Sequence, residues 1–103
     1  MKTSRPLPIA ADHPAFAGHF PGTPILPGAV LLDEALRIIE LDRSLDLTRW
    51  QVVAAKFLSM VRPGEALAVE HSSSASGTIH FTVRADGRTA LAGTLSMISA
   101  DCA

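Results

Sequence analysis

The chain has 103 residues, 48% of them hydrophobic and 18% charged, with a formal net charge of −1. That length suits one domain spanning 1–103 and leaves no room for two, the apolar content excludes a disordered linker, and charges of mixed sign argue against a nucleic-acid partner, which would need a basic stripe. One cysteine, Cys102, permits no internal disulfide, the N-terminus has no apolar signal segment and no run reaches membrane-span length, so the expectation is a soluble cytoplasmic protein without membrane contact.

In chain order, Thr3 to Asp12 reads as a short edge strand, because Pro6 and Pro8 cannot donate to a ladder. His13 to Leu26 carries Pro14, Gly18, Pro21, Gly22 and Pro24, too closely spaced for helix or strand, and reads as an ordered loop. The one good helix begins at Pro27-Gly28 and runs to about Asp42, with proline suited to the first turn. Its apolar residues, from Val30 to Leu41, cover most of the circumference, which predicts a helix buried on nearly all sides. Asp33, Arg37 and Glu40 form the remaining polar stripe, with Asp33 and Arg37 spaced for an i,i+4 pair.

Strand patterns follow at Arg49–Val61, Ala66–His71, Thr78–Arg84 and Thr89–Ser99, separated by turns at Arg62-Pro63-Gly64-Glu65, Ser72–Gly77 and Asp86-Gly87. A single buried helix followed by a run of antiparallel strands gives an α+β fold with the sheet wrapped around the helix.

The densest stretch is Gly18-His19-Phe20-Pro21-Gly22-Thr23-Pro24-Ile25-Leu26-Pro27-Gly28, continuing to Leu32-Asp33. A histidine sits in a stiff loop before a helix, a Pro-Gly pair opens that helix, and a carboxylate lies fourteen positions beyond the histidine. Taken singly, each residue has a plainer reading. His19 can hold the turn by a hydrogen bond, Asp33 can belong to a surface stripe, and Gly28 can simply start the helix.

Together, GHFPGTPILPGAVLLDEA resembles the active-site signature of the β-hydroxyacyl-[acyl-carrier-protein] dehydratases of the FabA/FabZ type. The motif covers about a fifth of the chain, and Lys56-Phe57, Arg62-Pro63-Gly64-Glu65 and Ala85-Asp86-Gly87-Arg88 extend a weaker likeness. The compact size, without an N-terminal helix, looks most like the small dehydratases of aryl polyene pathways. The resemblance implies a hotdog fold, with one long helix, Gly28–Asp42, wrapped by about five antiparallel strands, and a homodimer or higher even oligomer with active sites at the interface. It implies reversible dehydration of a (3R)-3-hydroxyacyl thioester, carried on acyl carrier protein or coenzyme A, to the trans-2-enoyl thioester in fatty-acid or polyene-type biosynthesis. It implies no metal and no other cofactor.

Such an elimination removes a weakly acidic C2 proton and protonates the hydroxyl leaving C3. Neutral histidine titrates nearest neutrality and suits the base. The resemblance gives that role to His19, the hydroxyl-handling role to Asp33 of the facing protomer, and donation to the thioester oxygen to the N–H of Gly28. A first-turn N–H has no partner within the helix and lies at the positive end of its dipole. Phe20, Pro27 and Gly28 are the positions implied to line the substrate.

Two departures stand beside the acid: Glu34 where the family usually has alanine, and Arg37 where it has glutamine. An Arg37 guanidinium beside Asp33 would favour the ionised carboxylate. His71 and His80 flank one turn, but without further ligands they read as strand-surface histidines rather than a metal site. His13 reads as a solvated loop residue. Lys56, Arg62, Arg84 and Arg88 are either contacts for an acidic carrier or scattered surface charge. The rival functions are a hotdog acyl thioesterase and a non-catalytic acyl- or carrier-binding subunit that kept the motif.

Overall fold

The computed structural model describes residues 2–10, 12–16 and 25–98. Within them the order is β1 (Thr3–Pro6), a 3-10 turn (Pro14–Phe16), α1 (Gly28–Arg43), a second 3-10 turn (Leu47–Arg49), β2 (Trp50–Phe57), β3 (Leu67–Ser73), β4 (Ile79–Ala85) and β5 (Arg88–Met97). The strands form one antiparallel sheet in the order β1-β3-β4-β5-β2. The proline-bearing first strand is at an edge, as its missing donor requires. One helix on a five-stranded antiparallel sheet is the expected α+β architecture.

Period-two alternation decides which side chains enter the core. Val69, Phe81, Val83, Leu91 and Leu95 point inward from β3, β4 and β5 and are all but fully buried. The Phe81 ring lies over Gly93, where any Cβ would also stand 2.8 Å from the Ala54 carbonyl oxygen, so strand approach there depends on glycine. Asp86-Gly87 makes the predicted hairpin, both residues having positive φ (48° and 85°), as a type I′ turn requires.

The helix departs from its predicted burial. Only Leu31, Ala35 and Ile39, one i,i+4 stripe, are buried, whereas Leu41 is 70% exposed. The other apolar positions are half-buried because the sheet of a single chain can cover only one face of a helix. The helix ends at Ser44, which takes the left-handed conformation (φ 52°) and donates its N–H to the Glu40 carbonyl.

A second correction concerns His71. His71 faces Phe81 across the ladder and His80 faces Ser72, so the two histidines lie on opposite sides of the sheet. His80 is exposed, while His71 is 2% exposed and faces the end of the helix. There Arg43 Nε donates to His71 Nδ1 (2.8 Å), which leaves Nε2–H to donate to Asp42 Oδ2 (2.9 Å). Arg5 of β1 closes the group on Asp42 Oδ1 at 3.1 Å. Strand parity put a polar ring inside, and the last helical turn supplied its partners. His71→Ala leaves Asp42 and Arg43 without that ring, and is expected to lower stability by about 2–4 kcal/mol in urea titration. A loss within about 0.5 kcal/mol, the scale of surface substitutions, would show that the cluster does not hold the helix end.

Candidate active site

Where the helix starts beside the end of β2, the structure opens an apolar groove of about 460 Å³. That lies within the range of small-molecule pockets, about 300–1,000 Å³. One wall is Ile25–Gly28 with Leu31, the end of the sequence motif and the first helical turn; the other is Phe57–Val61, running out of β2. The walls are joined by the Leu26 N–H donating to the Val61 carbonyl at 2.9 Å. Pro27 stands at the N-cap, and no side chain among the described residues caps the helix. Gly28 therefore presents a first-turn backbone to the groove, and a Cβ there would meet the Phe57 ring at 2.8 Å.

Pro27 and Gly28 thus line the groove, as the sequence suggested. His19 and Phe20 lie outside the described residues. Asp33 is exposed on the helix surface turned away from the buried stripe, and it does not line its own chain's groove. Its predicted pairing with Arg37 is not formed. Arg37 Nη2 instead meets Glu34 Oε1 at 3.6 Å, an i,i+3 contact, so the guanidinium does not sit on Asp33.

The candidate carrier contacts separate in the structure. Arg84 pairs with Glu70 (3.0 Å), and Arg88 makes a two-pronged pair with Glu65. Lys56 and Arg62 have no carboxylate partner among the described residues. His13 is half-buried, its Nδ1 accepting from the Ala15 N–H at 3.1 Å. Among the described residues no three His, Cys, Asp or Glu side chains are grouped as a metal site requires, and no helix is long and apolar enough to cross a membrane. The groove wall Leu58–Val61 was missed by the sequence reading, which took that stretch as the end of a strand; no motif marks it.

Comparison with known proteins decides the family. Residues 3–94 match the family described as ApeI-like, the ApeI dehydratases. The chain belongs to that family. The 3-hydroxyacyl-[acyl-carrier-protein] dehydratase FabZ of Oenococcus oeni is 31% identical over 98 residues, covering 84% of this chain and 70% of its own length. FabZ of Latilactobacillus sakei is 35% identical over 69 residues, covering 60% of this chain and 49% of itself. The chain spans about half the length of the first curated relatives it matches.

Among solved structures, the dehydratase heterocomplex ApeI:P from Xenorhabdus doucetiae has a TM-score of 0.73 at 22% identity, covering 95% of this chain and 88% of that one. The (R)-hydratase from A. caviae involved in PHA biosynthesis has a TM-score of 0.65 at 12% identity, with 95% of each chain covered. These likenesses establish the fold, and it is the hotdog fold expected from the motif.

Electrostatics beside the groove yield a pH signature. Hydrogen bonds from Arg88, and then from the Arg62 N–H, hold the Glu65 carboxyl down to about 2 from its usual 4.5. Because the folded-state value is depressed, this contribution to stability is present above the unfolded value and is lost as pH falls from about 4.5 towards 2. Glu65→Gln should therefore narrow its stability gap to the parent chain across that window in acid titrations followed by circular dichroism. A gap that stays constant from pH 6 to 2 would contradict the pairing.

Proposed function

We propose that this ApeI-like family member is a 3-hydroxyacyl-[acyl-carrier-protein] dehydratase of the cytoplasm, acting on a (3R)-3-hydroxyacyl thioester whose chain lies in the groove at the helix start. The observation that carries the reading is that groove: apolar along its walls, with the first helical turn at Gly28, uncapped among the described residues, at one end. An acyl chain gains by leaving water there, while a thioester carbonyl needs a donor of the kind Gly28 offers.

In this proposal neutral His19 removes the C2 proton, the C2–C3 double bond forms, and the C3–O bond breaks. Asp33, through a water or directly, delivers the proton that lets hydroxide depart as water. The Gly28 N–H holds the negative charge that builds on the thioester oxygen. Phe20 and Pro27 flank the substrate. Lys56 and Arg62, without a carboxylate partner among the described residues, are the cations offered to an acidic carrier, and coenzyme A is the other thioester carrier to try. No metal or redox group is called for, because proton transfer and one N–H donor balance the reaction.

The site as proposed is shared between two copies. Asp33 faces away from its own groove, and an apolar surface is left uncovered along β2, whose Val53 is 59% and Phe57 50% exposed. An open sheet edge with such a surface calls for a partner.

His19→Ala should fold normally and lose about 10²–10⁴-fold in hydration of an enoyl-thioester panel followed by mass spectrometry. Turnover like that of the parent chain in a folded variant would sink the mechanism, and release of free thiol would point to a thioesterase.

Co-expression tests the shared site. His19→Ala and Asp33→Asn should each be inactive alone, with light scattering reporting a dimer or a higher even oligomer. Random pairing into dimers makes half of them mixed, each with one intact site, so about a quarter of the parent activity returns. If both residues serve the same protomer, nothing returns.

A further inference from the structure

The stretch between β2 and β3 has no regular structure from Leu58 to Ala66, yet its first residues form a wall of the groove. A backbone without a ladder needs another source of fixed position. Two bonds come from the β5 main chain: the Leu58 and Ser59 N–H groups both donate to the Ala90 carbonyl, at 2.8 and 3.4 Å. Beyond Ser59 the Val61 carbonyl accepts from the Leu26 N–H at 2.9 Å, and the side-chain anchor is Arg88.

Arg88, the first residue of β5, uses all five of its N–H donors on this stretch and the hairpin beside it. Nη2 donates to the Met60 carbonyl (2.5 Å) and to Glu65 Oε1 (2.9 Å). Nη1 donates to Glu65 Oε2 and to the Ala85 carbonyl, the latter at 3.1 Å. Nε donates to Ser59 Oγ at 3.2 Å, and that hydroxyl donates in turn to the Thr89 carbonyl at 3.2 Å. Glu65 Oε1 also accepts from the Arg62 N–H at 2.6 Å, tying off the loop. The guanidinium is planar and delocalised, so these bonds fix direction as well as distance, which an ammonium group could not do.

We infer that Arg88, oriented by Glu65, is a positioning residue that sets the groove wall at Ser59–Met60 and thereby decides how long an acyl chain the site accepts. This rests on the proposed acyl-thioester reading. Arg88 touches no reacting atom; it acts through the Met60 carbonyl and the Ser59 hydroxyl. The Met60 side chain is exposed and lines the groove, so only its pinned backbone holds it against the chain. In this proposal a short acyl group sits at Gly28 and the helix start and covers less of that wall. A long one must run along it, and its binding then depends on whether the wall is fixed.

The test compares butenoyl- and decenoyl-pantetheine thioesters with the parent chain, Arg88→Met, Arg88→Lys and Glu65→Gln. Arg88→Met should raise KM for the ten-carbon substrate about tenfold more than for the four-carbon one, a discrimination of the size a few chain carbons supply. Arg88→Lys should leave most of that change in place, because one ammonium cannot span Met60, Ser59 and Glu65 together. Glu65→Gln should shift the ratio in the same direction by a smaller factor. A purely structural role would lower both substrates by one common factor that follows the melting temperature, and that result overturns the inference. If Arg88→Met does not fold, an unchanged ratio in Glu65→Gln overturns it equally.

Should the parent chain turn over neither substrate, the dehydratase reading fails, and calorimetric binding of butyryl- and decanoyl-pantetheine decides the inference separately. Selective loss of the ten-carbon ligand in Glu65→Gln and Arg88→Met supports it. Equal binding by all variants, or no binding by any, overturns it.

Discussion

A single helix about 10 Å across lies on a sheet whose outer strands are about 19 Å apart, and most of the molecule's organisation follows from that mismatch. The stripe Leu31, Ala35 and Ile39 seals the inward side chains of β3, β4 and β5 from water. It leaves β2 largely uncovered, all but one of whose residues are exposed. The uncovered strand leaves Val52, Val53 and Phe57 exposed. The groove opens where cover gives out, between the first helical turn and the departing end of β2. Site and apolar flank are therefore two consequences of one shortfall in covering.

Polar side chains hold the places where that packing ends. At the helix C-terminus, His71 accepts from Arg43 and donates to Asp42. Near the groove, Arg88 and Glu65 fasten a stretch that has no strand partner of its own. Among the described residues no buried side-chain nitrogen or oxygen lacks a partner, so neither cluster carries the penalty of a half-satisfied network. Both join elements far apart in sequence, and both sit where apolar contact alone would leave backbone direction loose. Of the two, only the Arg88 cluster borders the groove, whereas the His71 cluster faces the far end of the helix.

The amino-acid sequence by itself determined the elements and the family. Proline placed the first strand at an edge, Asp86-Gly87 fixed a hairpin, and the motif from Gly18 to Asp33 carried the likeness that the match over residues 3–94 bears out. These are local signals: dihedral limits, turn chemistry and a dense run of uncommon residues, each readable within a few positions. Only tertiary structure decided how much of the helix is covered, since apolar residues around a whole circumference do not say which of them the same chain can reach. It also decided that Arg37 meets Glu34 rather than Asp33, that strand parity sends His71 inward and His80 outward, and that Arg88 bonds to the groove wall at Ser59 and Met60. Each of those outcomes depends on which distant backbone arrives beside a side chain, and a linear spacing rule holds no information about that arrival.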